Sequence, residues 1–271
     1  MTDFSDHKRW KLLLIVGERG LDAAFFDREG RQGVPYMSRR WNCDPTQVLG
    51  QVEDALYDDP RLLDDYDTSI LISPRATLLV PPAMFDPKDT AANTEALSAL
   101  DQSEHKDVWH EPLDEAIALY STAEGLRDFL RRTFLTEDMH HLLRPMTDYF
   151  SRKAGAEGGW KMWVDLGPGV MDIVAYGNGR LLYANRWHYT GGAEDAAYYL
   201  LFIFRTLGLP EDSAELYLSG SQELRRAISP MLRRHISYVS QTLLPSAYAS
   251  AVAEGIPLTA VLKLMNNKEL Q

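Results

Sequence analysis

This sequence is written twice. Lys11, Gly17 and Asp22 recur 150 positions later as Lys161, Gly167 and Asp172, and Arg40 and Trp41 recur 146 positions later as Arg186 and Trp187. The four-residue difference falls in a loop between strands, where a change of length adds little closure entropy. In the first copy, KLLLIVGERGLDAAFF reads as two strands joined by a short turn, and DREGRQGVPYMSRRW adds a third after a glycine-containing loop. KMWVDLGPGVMDIVAY and GNGRLLYANRW repeat that arrangement in the second. A chain that repeats its pattern over half its length must fold into two similar units, and this excludes most single-core architectures.

A helix follows each triple strand. In the first copy Asp44 can cap it and Pro45 suits its first position, with Val48, Leu49, Val52 and Leu56 spaced along one apolar face. In the second copy AEDAAYYLLFIFRTLG is apolar nearly all round and is expected to be buried between layers, ending at Gly208 and Pro210. A buried strand comes next in both copies, TSILIS ending at Ser73 and ELYLS ending at Ser219. The repeat therefore predicts that Ile15 superposes on Asp165 and Ser73 on Ser219. DEAIALYS reads as a further strand, and STAE (121–124) has capping-box spacing before a helix with Leu126, Phe129 and Leu130 on its inner face. Leu142, Leu143, Met146, Tyr149 and Phe150 mark another amphipathic helix. The glycine-rich AGAEGG (154–159) is the expected boundary between a first half, 1–155, and a second, 156–271. The second half closes with helix SQELRRAISPMLRRHI, kinked or broken near Pro230, the strand-like ISYVSQTLL, and a terminal helix around PLTAVLKLM. The order of three strands, helix, strand, helix thus occurs twice, which makes the fold class α/β, with helices packed on mixed sheets.

Composition narrows the function classes. With 39 acidic against 28 basic residues the net charge is -11, the wrong sign for nonspecific nucleic-acid binding. Nine of the acidic residues lie in 86–115 against Lys88 and Lys106, the pattern of a solvated acidic insert. The longest apolar run, Ala196 to Phe204, falls far short of the ~18 residues of a membrane span, and the N-terminal segment has no apolar stretch of signal-peptide length, so a cytoplasmic location is expected. The single cysteine, Cys43, has no partner for a disulfide and reads as structural.

The stretch DLGPGVMD (165–172) bears most directly on function. Pro168 followed by Gly169 suits the two central positions of a type II turn, which would make it a hairpin closure. The same glycine-rich turn could instead expose backbone amides to a phosphate. His140 and His141, following Glu137 and Asp138, invite a metal reading, but adjacent histidines diverge and no second cluster at zinc spacing occurs. Arg225, Arg226, Arg233 and Arg234 crowd the late helix, either as a solvated face or as a dock for an acidic partner. Neither a nucleophile elbow nor a Walker A loop is present.

A duplicated unit of this order with D-x-G-x-G between its first two strands resembles the actin, Hsp70 and sugar-kinase ATPase superfamily. DLGPGVMD looks like its second phosphate hairpin, TGGAED (190–195) like the turn into the next helix, and LYLSGSQE (216–223) like the strand-turn that approaches adenosine. Over most of 11–243 the chain is similar, more narrowly, to a bacterial domain-of-unknown-function family known mainly from Bacteroidota and assigned an actin-like ATPase fold. The resemblance implies two ribonuclease H-like halves with a cleft between them. It also implies a nucleotide site in which Gly17, Asp165, Gly167, Gly169, Ser219 and Gly220 would line ATP or ADP, with Asp165 holding magnesium through its water shell.

Two departures weaken the catalytic side of that expectation. Ile15 stands where the first hairpin should carry its aspartate, and Val170 and Met171 stand where the second should carry a hydroxyl residue. Phosphoryl transfer depends on positioned charge, so these losses should remove several kcal/mol of transition-state stabilisation. The sequence therefore points to no catalytic residue and no obligatory cofactor. It fits a pseudo-ATPase serving as a cytoplasmic protein-binding scaffold, as the superfamily members PilM and FtsA do, with a weak ATPase built on Asp165 as the alternative.

Overall fold

The computed structural model describes residues 6–28, 37–253 and 255–265; the glycine-containing loop before the third strand lies outside them. The chain divides into two compact units, Met1–Pro112 with Ala116–Leu142, and Leu143–Gln271 with Leu113–Glu115.

The first unit is built on a five-stranded sheet of β1 (Trp10–Gly17), β2 (Gly20–Asp27), β3 (Met37–Asn42), β4 (Asp67–Ser73) and β8 (Met139–His141), in the order β3-β2-β1-β4-β8. β1 to β3 are antiparallel neighbours, whereas β4 runs parallel to β1 and β8 parallel to β4. Between β3 and β4 lies α1 (Val48–Asp58), which buries Val48, Val52 and Leu56. It starts later than its sequence suggests, because Asp44 spends its carboxylate on the amide and hydroxyl of Thr46 and closes a turn there. The segment that follows makes a second, three-stranded sheet, β5 (Ala76–Val80), β7 (Ala116–Ala123) and β6 (Lys106–Leu113), with α2 (Thr90–Ser98) beside it. The acidic insert therefore supplies a helix and a strand, and Leu97 is buried against Ala76 and Leu119. Ser121 is inside β7, so the expected capping box is not formed; α3 (Leu126–Phe134) starts instead from Gly125 in a left-handed conformation.

The second unit repeats the main sheet. β9 (Trp160–Gly167), β10 (Val170–Gly177), β11 (Arg180–His188), β12 (Glu215–Gly220) and β13 (Tyr238–Gln241) take the order β11-β10-β9-β12-β13. α4 (Arg144–Glu157) immediately precedes β9, while α5 (Gly192–Thr206) and α6 (Gln222–Leu232) occupy the crossovers. α7 (Ser246–Ala253) and α8 (Leu258–Met265) end the described chain. Side-chain alternation sorts the sheet's two faces. Met162, Val164 and Leu166 join Ile173, Leu216 and Leu218 beneath α5 and α6. Lys161, Trp163 and Asp165 point the other way, and Trp163 stacks on Phe150 of α4 at 4.5 Å between ring centres. α5 is less buried than its composition implies, since Tyr198 is 65% and Phe202 51% exposed; one face packs and the other meets solvent.

The duplication holds at the level of register, with one adjustment. Ile15 pairs with Asp22 across the first hairpin and Asp165 with Asp172 across the second, each closed by two residues. On the parallel side Ile15 faces Leu71, whereas Asp165 faces Ser219. Ser219 therefore corresponds to Leu71, and Ser73, which pairs with Gly17, corresponds to Ser221. Aligning the two strands by their terminal serines is two residues out, because hydrogen-bond register and not composition fixes the match.

An ion pair is duplicated too. Arg40 clasps Asp22 with bonds of 2.5 and 3.1 Å, and Arg186 clasps Asp172 with two of 2.6 Å. The first pair is exposed (Arg40 60%, Asp22 33%), the second largely buried (Arg186 18%, Asp172 4%). Removing one partner of a buried pair strands the other charge, at a cost of about 3–5 kcal/mol, whereas an exposed pair contributes about 0–1 kcal/mol. Denaturant unfolding should accordingly find Arg186→Ala destabilised by several kcal/mol and Arg40→Ala nearly neutral. Equal losses would mean that the two pairs do not differ in solvation as described.

Candidate functional site

In the second unit, alternation along β9 carries Asp165 to the face opposite α5 and α6, and register sets Asp172 on one side of it and Ser219 on the other. Asp165 is only 7% exposed. One carboxylate oxygen accepts the backbone N–H of Leu258, the first residue of α8, at 2.7 Å. The other lies 3.2 Å from the Ser219 hydroxyl. That hydroxyl also reaches the Val164 carbonyl at 3.1 Å, and it has a single hydrogen to give. The one Ser219 hydrogen is therefore shared between the Asp165 carboxyl and the Val164 carbonyl. Burial, and after it the nearby charge of Asp172, pushes the Asp165 carboxyl up to about 7, against the opposing influence of the Leu258 amide, Ser219 and Arg186. The residue expected to position magnesium is thus a helix-capping acid inside the unit.

The turn beside it is braced rather than open. Gly169 has φ of +68°, and with the fixed φ of Pro168 before it this is type II geometry. The Gly167 carbonyl accepts the Tyr189 hydroxyl at 2.7 Å, and the Gly169 carbonyl accepts the Tyr189 N–H at 3.0 Å. Pro168 offers no amide. Gly220 is required by close packing: at φ of +82° a Cβ there would lie 2.2 Å from the Leu166 carbonyl oxygen. At the start of α5, where a helix N-terminus could receive an anion, Asp195 folds back and accepts the Gly191 N–H at 2.9 Å.

The first unit carries the other hairpin. Gly17 pairs with Ser73, Ile15 is buried, Glu18 forms an ion pair with Arg75 at 3.3 Å, and Arg19 is exposed at the turn. No carboxylate stands at the position equivalent to Asp165. The structure therefore gathers Asp165, Gly167, Gly169, Ser219 and Gly220 around the ends of β9 and β12, and sets Gly17 in the corresponding place of the first sheet. Sequence reasoning missed the Leu258 amide and Tyr189. Tyr189 is adjacent to the noted Thr190 turn, but Leu258 is 93 positions from Asp165 and leaves no local signal.

The remaining candidates are quickly placed. His140 and His141 lie on β8 and not on a helix. His140 sits 3.5 Å from Glu111 and 3.2 Å from Asp138, while His141 is buried beside Thr77. Among the described residues no group of histidine, cysteine or acidic side chains could hold a metal ion. Cys43 is buried, which raises its thiol pKa and leaves it unreactive. Among the described residues no helix is long and apolar enough to cross a membrane.

Comparison with known proteins agrees with the duplicated fold. The family described as protein of unknown function (DUF3822) matches residues 2–239. A crystal structure from Bacteroides thetaiotaomicron VPI-5482, of a protein with actin-like ATPase fold and unknown function, superposes with a TM-score of 0.74 at 18% identity, over 98% of this chain and 99% of that one. A structure of the PilM-PilN type IV pilus biogenesis complex gives a TM-score of 0.54 at 14% identity, over 94% of this chain and 96% of that one. No curated protein sequence matches. The protein has the actin-like ATPase fold.

Because the folded protein releases the Asp165 proton near pH 7 and an unfolded aspartate near 3.8, the folded state binds more protons between those values. The unfavourable contribution of this group is absent below about pH 4, grows as pH rises and is complete above about 7. Wild type should therefore gain stability relative to Asp165→Asn as pH falls from 7 to 4, by up to ~1.4 kcal/mol per pH unit. A gain in the opposite direction would identify Asp165 as an ionised ligand-type carboxylate. Hydrogen exchange offers a second check: Asp165→Ala should raise amide exchange across 258–265, whereas unchanged protection there would show that α8 does not depend on this contact.

Proposed function

We propose that this chain, which belongs to the DUF3822 family, uses the actin-like ATPase fold as a protein-binding scaffold and does not turn over ATP. One observation carries the reading: the Asp165 carboxylate is buried, turned toward the amide of Leu258 and raised toward neutrality. Magnesium and its bound waters need an ionised, reachable oxygen. Ile15, at the equivalent place in the first unit, supplies none. The turn at 167–169 adds little for a phosphate, since Pro168 has no N–H to donate.

With the charge-handling parts of phosphoryl transfer missing, the fold's remaining asset is surface held on two rigid sheets. The likeness to PilM, a protein seen in complex with PilN, supports partner binding as the kind of work this chain does in the cytoplasm. The partner itself is a protein still to be identified.

The test is a thermal-shift titration with ATP or ADP and magnesium. A ligand at 100 times its dissociation constant adds ~2.7 kcal/mol, which for a chain of this size raises Tm by about 5–10 °C. No shift at millimolar nucleotide and no phosphate release are expected. A saturable shift that disappears in Asp165→Ala, together with measurable hydrolysis, would replace the scaffold with a weak ATPase in which Asp165 positions the metal.

A further inference from the structure

The four arginines on and after α6 do not form a uniform solvated face. Arg225, Arg226 and Arg233 line one side of an open pocket of about 310 Å³ between α6 and β13, with Ser229 and Pro230 of the same helix and Ser240 and Gln241 of the strand. Arg225 donates Nε to the Gly220 carbonyl at 3.2 Å, and Arg233 donates one terminal nitrogen to the Val239 carbonyl at 3.0 Å. These bonds hold the two side chains in place while leaving most of their N–H groups uncommitted. Arg226 is exposed and, among the described residues, has neither a hydrogen-bond acceptor nor an ion-pair partner. None of the three is paired with a carboxylate, in a chain whose acidic residues exceed its basic ones by 11. Burial, and then the charge of Arg226, pulls the Arg225 guanidinium below its ordinary value, against the smaller opposing influence of Asp165.

We propose that the pocket between α6 and β13 binds a phosphate-bearing ligand, gripped by Arg225, Arg226 and Arg233. Three convergent guanidinium groups are matched best by one group carrying close to two negative charges, and their planar forks fit phosphate oxygens in pairs. A single carboxylate would leave two of the three charges uncompensated. The volume is at the small end for ligand sites and takes a phosphate with a short organic remainder, for which Gln241 and the Ser240 hydroxyl offer hydrogen bonds and Leu218 an apolar floor. Two sources share that chemistry, a free small phosphate ester and the phosphorylated side chain of a partner protein. The inference does not rest on the scaffold reading, since neither Asp165 nor the 167–169 turn lines the pocket.

The experiment titrates the full chain with inorganic pyrophosphate at constant ionic strength, following Tm and binding heat. Saturable binding is expected. Arg226→Ala and Arg233→Ala should each weaken it about tenfold or more, as loss of a charge-assisted contact implies, while Arg226→Lys retains part of it. Arg131→Ala, which alters an arginine on α3, should leave it unchanged. Arg226 has no partner among the described residues, so its replacement should not lower the ligand-free Tm, and lost binding can be told from lost folding. Glycerol 3-phosphate binding tighter than a phosphoserine peptide would assign a free ester, and the reverse order a phosphorylated partner. Absence of saturable binding, equal response to sodium chloride, or indifference to the arginine substitutions would overturn the proposal.

Discussion

A carboxyl group almost cut off from water is pushed toward its neutral form or must be hydrogen-bonded, and Asp165 shows both responses. Its demands organise one face of the second sheet. Asp172, directly across the hairpin, is neutralised by the two bonds from Arg186, which keeps two adjacent acids from repelling each other openly. Ser219 stands on the parallel side with its hydroxyl within reach of both Asp165 and the Val164 carbonyl. The amide of Leu258 brings the start of α8 onto the carboxyl, and α8 then buries Leu258, Val261, Leu262 and Met265. The carboxyl expected to hold a metal through its water shell accepts the first amide of α8.

The first sheet shows what the same scaffold looks like without that acid. Ile15 takes the equivalent place and is buried as an ordinary core residue. Asp22 and Arg40 keep the ion pair, but largely in solvent, where it contributes little. Duplication has preserved the order and register of the strands, while the chemistry at the two hairpins has separated into an apolar version and a buried acidic one. Only the second keeps a carboxylate at this position, and burial raises its pKa.

Much of this was legible in the sequence because it depends on local pattern. Alternation along KLLLIVGERGLDAAFF and KMWVDLGPGVMDIVAY fixes the hairpins, the repeated Asp and Arg mark the duplicated pair, and Pro168 with Gly169 names the turn. What was not legible depends on partners distant in the chain. The bond from Leu258 to Asp165 spans 93 positions, and nothing near either residue announces it. The two-residue offset between Ser73 and Ser219 arises because the segments TSILIS and ELYLS match by their serines while their register is set by neighbouring strands. The solvated side of α5 reads as core because Tyr198 and Phe202 are apolar in type, and only their neighbours decide their burial. Three-residue β8 is too short to leave a period in the sequence.

The most direct test of this account follows the side-chain carboxyl carbon of Asp165 by NMR across pH 4 to 9, with and without magnesium and ATP. The account predicts a titration midpoint near 7 that nucleotide and metal leave in place. A midpoint near the ordinary aspartate value of 3.8, or one displaced to lower pH by magnesium and ATP, would show an ionised carboxylate facing a ligand and would contradict it.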